Sequence, residues 1–391
     1  MKGYRGIILI ALAMAVSATA TANSRDQAQR IHNRLAGVPA DAATLTEMAQ
    51  LIDNNQVAEA AELAMDNPAF YNVTIKQFAT PWTNEAQDVF APLNDYTATI
   101  IGVVRDDVDF RRILYSDLLY VGNTSPAASP SSNAHYQALE DQHADLSTAL
   151  TESSQASQYG TPAEAVAGVL TTRAAANAFF YAGTNRAMLR FTLMNHMCRD
   201  LEQVKDTSRP SDRIRQDVSR SPGGDSRIFR NSCIGCHSGM DPLAQAFAYY
   251  DWEGEQEGNG GRMVYNSGND AETGTRVQGK YLINGNNFPW GYITPDNSWD
   301  NYWRKGPNAN LGWDPSLPGS GEGAASMGKE LAHSEVFATC QAEKVFQTVC
   351  LRKPADGADT AELASMTSNF KNDNYRMKTL FSDAATYCMG E

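Results

Sequence analysis

The sequence lacks the short motifs that identify several large classes of enzyme. It contains no G-x-S-x-G, no H-E-x-x-H and no phosphate-binding loop. It therefore offers no motif for an α/β-hydrolase, a zinc protease or a nucleotide-binding enzyme. Basic residues are also few, since 32 Lys and Arg stand against 45 Asp and Glu for a net charge of −13. A chain with this charge repels nucleic acid and anionic lipid, so we expect no nucleic-acid partner.

Long apolar runs are missing after the N-terminus. No later segment approaches the roughly 20 consecutive apolar residues that a membrane-spanning helix needs. At the N-terminus, Lys2 and Arg5 precede a short apolar run over 6–16, and small residues follow at 20–22. This order is typical of a secretory signal peptide. The pattern predicts a signal peptide over 1–22, a mature chain that does not span a membrane, and a periplasmic or extracellular location.

Cysteine is scarce, with six in the chain, but two of the six stand in one informative pentapeptide. Residues 233–237 read Cys-Ile-Gly-Cys-His, and C-x-x-C-H is the attachment sequence of a c-type haem. Cys233 and Cys236 can each form a thioether to one porphyrin, and His237 is placed to bind the iron axially. The motif occurs once. It therefore predicts one covalent haem c held by these three residues.

A bare C-x-x-C also occurs in redox-active disulfides and as half of a zinc site. The adjoining His237 and the predicted export signal argue against both interpretations. The sequence also has no second C-x-x-C to complete a four-thiolate metal site. The haem interpretation is therefore preferred.

The other four cysteines are Cys198, Cys340, Cys350 and Cys388, and an even number in an exported chain favours disulfides. Cys340 and Cys350 fall in one predicted helix, where a rise of ~1.5 Å per residue separates them by about 15 Å. A disulfide needs Cα atoms within about 7 Å. Each of the two must therefore pair with Cys198 or Cys388. We prefer Cys198–Cys340 with Cys350–Cys388, because the second bridge would hold the C-terminal helices together.

The distribution of helix and turn signals predicts a mainly α fold. We expect an N-terminal helical region over 23–122, a linker and helical region over 123–207, and a cytochrome c-like haem domain over 208–391. A long Gly/Trp-rich insertion over 253–323 interrupts the last of these. Short strands are expected over 262–265 and 280–283. Asp241 and Pro242 are expected to begin a new helix, as N-cap and first-turn residue.

The haem segment resembles the planctomycete-type cytochrome c proteins, whose motif is similar to C-x-x-C-H-x-x-(Met/Ile)-Asp-Pro-Leu. The resemblance implies haem binding and electron transfer, and it says little about the electron donor or acceptor. Ala244 stands where the family has Gly, and Cys350 where Leu is usual. The matching positions around the haem and further along the chain are Cys233, Cys236, His237, Met240, Asp241, Pro242, Leu243, Tyr250, Asp251, Phe337, Cys340, Lys344 and Arg352, with an opening helix over 30–39.

A haem that transfers electrons usually has a second axial ligand, Met or His. Met240 is excluded because it lies three residues after His237 and falls on the same haem face. Met327 is preferred, because it precedes the closing helices. Met263 and His333 are alternatives, and so is an open sixth site. Four tryptophans are candidates either to cover porphyrin edges or to form core: Trp290, Trp299, Trp303 and Trp313.

These observations predict an exported monohaem c-type cytochrome that carries single electrons between redox partner proteins. A first alternative is a haem enzyme of the peroxidase or oxygenase type with an open sixth site. A second alternative is a scaffold whose N-terminal part binds a partner.

Overall fold

The computed structural model describes residues 23–182, 184–218, 226–256, 260–286 and 288–390, and the predicted signal peptide lies outside them. Over these ranges the protein is mainly helical, as the sequence predicts. The α-helices are α1 Ser24–Leu35, α2 Ala42–Asp53, α3 Val57–Met65, α4 Lys76–Ala79, α5 Asp95–Arg105, α6 Ala134–Asp141, α7 Leu146–Ala149, α8 Gln155–Tyr159, α9 Arg173–Phe179, α10 Arg186–Met197, α11 Ser226–Ile228, α12 Ile234–Ala244, α13 Gly323–Ala332, α14 Glu335–Cys350, α15 Gly357–Asn372 and α16 Met377–Cys388.

The strands of the described ranges are short and form antiparallel pairs. They are β1 Leu119–Gly122, β2 Leu150–Ser153, β3 Tyr250–Glu253, β4 Arg262–Tyr265, β5 Ser298–Asp300 and β6 Ser320–Glu322. β1 pairs with β2, β3 with β4, and β5 with β6. The strand predicted over 262–265 is confirmed as β4. The last two pairs hold together the loop-rich segment between α12 and α13.

Side-chain caps explain where several helices begin. Asp41 precedes α2 and accepts hydrogen bonds from the backbone N–H groups of Ala43 and Thr44. Ser334 caps α14 in the same way by accepting from the N–H of Phe337. Such caps pair the N–H groups that have no partner inside the first helical turn.

One hydrophobic core runs through the described chain from its first helix to its last. α1 and α3 pack against α16, and α14 packs against α10, α15 and α16. Arg30 and Arg34 add hydrogen bonds from α1 to the carbonyls of Met389 and Cys388. The two ends of the described chain are therefore packed together.

Both predicted disulfides are confirmed. Cys198 at the end of α10 pairs with Cys340, and Cys350 at the end of α14 pairs with Cys388, with Cα atoms 5.3 and 5.5 Å apart. Cys340 and Cys350 lie on one helix, as the elimination argument required. α14 is thus covalently joined to the end of α10 near its middle and to α16 at its own end.

Two local predictions are wrong. Asp241 and Pro242 do not begin a helix, since both lie inside α12. The reason is that the Asp241 carboxylate accepts hydrogen bonds from His237 and Arg186 instead of capping a new turn. The strand expected over 280–283 is a 3₁₀ turn, Gly279–Leu282, held in place by Lys280, which donates to Asp251.

The Cys350–Cys388 bridge should contribute measurably to stability, because it closes a loop of 38 residues in the unfolded chain. Replacing both cysteines with alanine should lower the free energy of unfolding by about 2–4 kcal/mol, as measured by urea unfolding without reductant. Wild-type protein unfolded with reductant should lose at least as much, since both bridges are then open. Alkylation of Cys350 in the native oxidised protein would contradict the pairing.

Candidate functional site

The C-x-x-C-H motif lies where a π-helical turn, Phe229–Cys233, passes into α12. Cys233, Cys236 and His237 are partly exposed, whereas Gly235 and Gly239 are buried. Residues three and four apart on a helix share a face. The two thiols and the imidazole therefore lie on the accessible side of α12. Single π-helical turns are frequent at functional sites.

The opposite side of α12 packs too closely for any side chain at its glycines. A Cβ at Gly239 would lie 2.0 Å from Nε1 of Trp303, and one at Gly235 would lie 2.8 Å from Cγ of Lys205. Asp206 strengthens this contact, because its N–H donates to the Gly235 carbonyl over 2.9 Å. The position of the motif is therefore set by the rear packing of its helix.

Cys233 and Cys236 are the two cysteines that the disulfides leave as free thiols. Burial raises the pKa of the Cys236 thiol, whereas redox-active C-x-x-C motifs work through a lowered thiol pKa. The described residues also contain no group of three or more His, Cys, Asp and Glu placed to hold a metal ion. Both thiols are therefore unpaired and partly exposed on the motif.

His237 is oriented by a single hydrogen bond. Its Nδ1 lies 3.1 Å from Oδ1 of Asp241, one helical turn further on. An ionised carboxylate can only accept, so Nδ1 carries a proton, and in the neutral imidazole Nε2 then has the lone pair. No described residue makes a hydrogen bond to Nε2. The imidazole therefore presents a ligating nitrogen on the same face as the two thiols.

Asp241 is fully buried and ionised. Oδ1 accepts from Nε of Arg186 over 2.8 Å, and Oδ2 accepts from the backbone N–H of Arg215 over 3.3 Å. Burial on its own raises the pKa of Asp241, but the charge of Arg186 and the hydrogen bond from His237 outweigh it and hold the pKa well below its usual value. The carboxylate next to His237 therefore carries a full negative charge.

A half-buried arginine, a fully buried arginine and a second carboxylate complete this cluster. Arg186 binds Asp217 through two hydrogen bonds of 2.8 and 2.9 Å. Arg215 donates to Oγ1 of Thr184 over 2.7 Å, and its guanidinium lies 3.8 Å from the ring centroid of Tyr281. The sequence analysis missed these residues. The one available signal was the four-residue spacing between His237 and Asp241, which puts them on one helical face.

Large apolar side chains are exposed just before the motif and in the segment over 283–293. Ile228, just before the π-helical turn, is 48% exposed, and Trp290 is 84% exposed. Trp290 belongs to a segment that also exposes Ile283 and Ile293. That segment is hydrogen-bonded to residues 214–216 through Tyr292, and this stretch contacts Asp241. Clustered apolar exposure of this kind marks ligand or partner contacts.

The tryptophans divide into two groups. Trp299 and Trp303 are buried in the core, and Trp313 is half-buried and donates to the carbonyl of Trp303 over 3.0 Å. Trp290 alone among these four is exposed. It is therefore the one of these four whose indole is accessible to a ligand or partner.

The candidates for a sixth iron ligand lie on other elements. Met327 is fully buried within α13, which packs against the 3₁₀ turn Gln245–Phe247 after α12. Met263 lies on β4 opposite Trp252. His333 ends α13, with Nδ1 2.9 Å from the Lys329 carbonyl, and burial lowers its pKa. Met240 is buried on α12 itself.

No family model, no curated protein and no solved structure matches this chain. Among the described residues, no helix is both long and apolar enough to cross a membrane. The case for a function therefore comes from the motif and from the geometry of α12.

The close packing of α12 can be tested at Gly239. Gly239→Ala should lower the free energy of unfolding by about 1–3 kcal/mol, because the added methyl group overlaps the buried indole of Trp303. Gly357→Ala is the control, since its added Cβ meets nothing within 4 Å. Urea unfolding of both variants measures the difference. Equal stability of the two variants would show that α12 does not pack this closely.

Proposed function

We propose that the protein is an exported c-type cytochrome that carries single electrons through one covalent haem. The observation that carries this proposal is the arrangement on α12. The two thiols left free by the disulfides share a face with an imidazole whose Nε2 is available. The resemblance of residues 233–243 to planctomycete-type cytochrome c proteins supports the same conclusion.

The residues present fit a haem of this type. Cys233 and Cys236 would hold it through thioethers, and Nε2 of His237 would bind its iron. A bound haem supplies one-electron chemistry between ferric and ferrous iron. The chain orients the imidazole through Asp241. The exposed apolar side chains of Ile228 and Trp290 add surface from which a bound ligand or partner would exclude water.

In this proposal residues 208–391 form the cytochrome c-like haem domain, and the N-terminal helices support it through the shared core. The protein would act in the periplasm or outside the cell and exchange electrons with redox partner proteins. The chain's negative charge favours a partner with a basic docking surface.

The sixth position distinguishes this function from a second candidate. Met327 is our prediction for the ligand, and α13 would have to present its sulfur to the iron from within the core. Its full burial among protein side chains means that α13 would have to shift for this, and Met263, His333 and an open sixth site are the alternatives. An open site would make the protein a haem enzyme of the peroxidase or oxygenase type.

Covalent attachment is the first test. Protein exported by a host with haem-attachment machinery should keep its haem after denaturation and acid–acetone extraction, as shown by intact mass. Replacing both Cys233 and Cys236 with alanine should abolish the attachment. The Cys350→Ala, Cys388→Ala variant is the control, because it also loses two thiols but keeps the motif. Complete extraction of the haem from wild-type protein would refute the proposal.

The second test concerns Met327. Met327→Ala should cost about 2–5 kcal/mol of stability through the cavity it leaves. If Met327 is the ligand, the haem should also become high-spin, with a lower reduction potential. Met366→Ala is the control, since Met366 is equally buried but lies on α15. It should lose similar stability with no spectral change.

Optical spectra of Met327→Ala and Met366→Ala in the ferric and ferrous states show whether Met327 binds the iron. A wild-type spectrum in the Met327 variant would exclude Met327 as the ligand. Rapid binding of carbon monoxide by the wild-type ferrous protein would show an open sixth site and favour the enzyme.

A further inference from the structure

The hydrogen bond between His237 and Asp241 does more than orient the imidazole ring, because it also affects the basicity of that ring. The two residues are one helical turn apart, and the carboxylate is fully buried. A hydrogen bond to an ionised group in a low-dielectric interior is stronger than the same bond in water. A carboxylate that accepts from a metal-ligating histidine raises the basicity of the ligand. A more basic imidazole stabilises the more highly charged ferric iron over ferrous iron.

The surroundings of Asp241 determine how much negative charge His237 experiences. Arg186 donates to the same oxygen, Oδ1, that accepts from His237. On its own, this guanidinium would neutralise the carboxylate. Asp217 opposes that effect, because it binds the same guanidinium through two hydrogen bonds and is itself buried. Asp217 also pairs with Arg215, whose Nε lies 3.2 Å from Oδ1, so two guanidinium groups face two carboxylates here. Arg186 is thus shared between two carboxylates, and Asp241 keeps part of its negative potential for His237.

We propose that Asp241 is a positioning residue that orients His237, increases its basicity and thereby lowers the reduction potential of the haem iron, with Asp217 adjusting the effect through Arg186. This inference rests on the proposed haem site. It gives the buried carboxylates of Asp241 and Asp217 a role in setting the driving force for electron transfer.

The holoprotein with Asp241→Asn tests the proposal. The amide can still accept from Nδ1, but it carries no charge. The ferric–ferrous equilibrium should shift about tenfold toward ferrous, which is about 59 mV for a one-electron couple. In a five-coordinate ferrous state, which the Met327→Ala background supplies if Met327 is the ligand, the iron–histidine stretch should move to lower frequency in resonance Raman spectra. Asp241→Glu keeps a carboxylate at this position, so its potential and Raman frequency should lie between those of the wild type and of Asp241→Asn.

Asp359→Asn is the matched control. Asp359 is also buried and paired with an arginine, Arg352, but lies on α15. Its variant should lose stability and keep the wild-type potential and Raman frequency. If Asp241→Asn does not fold, Asp217→Asn carries the test. Release of Arg186 toward Asp241 should then raise the potential in the same direction by a smaller amount.

The outcomes separate this inference from the proposed function. Intact mass shows whether haem is attached, whatever the potential is. Wild-type protein without covalent haem overturns the proposed function and this inference together. A second outcome overturns only the role assigned to Asp241. In it, Asp241→Asn has attached haem but the same potential and Raman frequency as Asp359→Asn. Where Asp241→Asn does not fold, the same result for Asp217→Asn overturns that role.

Discussion

The buried carboxylate of Asp241 joins three parts of the chain that are far apart in sequence. It accepts hydrogen bonds from Arg186 at the start of α10, from the backbone of Arg215 and from His237 on its own helix. A charge in the interior is tolerated only when it is paired and hydrogen-bonded, and removing one partner of such a pair costs about 3–5 kcal/mol. The motif helix, α10 and the 214–217 stretch are therefore held in one arrangement.

Packing and covalent links reinforce this arrangement from behind. Glycines on α12 let the helix lie directly against Trp303 and Lys205. The helix that carries Arg186 ends at Cys198, whose disulfide joins it to α14. α14 in turn is bridged to α16, against which the N-terminal helices pack. The support of the motif thus extends through the core to both ends of the described chain.

The accessible side of the site has a different character. It combines the free thiols of Cys233 and Cys236 with an imidazole oriented by Asp241, and Ile228 just before the motif is also exposed. Exposed apolar surface is unfavourable in water unless something covers it. The haem that we propose would cover this surface from its attachment at the two thiols.

The sequence by itself determined the features that depend on short spacing. These include the C-x-x-C-H motif, the strand over 262–265 and the exclusion of a Cys340–Cys350 disulfide, which followed from the rise per residue along α14. Each follows from geometry within one element or from elimination among few cysteines. The tertiary structure alone decided the partners of Asp241, the exposure of Trp290 and the burial of Trp303. Asp-Pro has the same local pattern at a helix start as inside α12, and only contacts from residues such as Arg186, distant in the chain, distinguish the two.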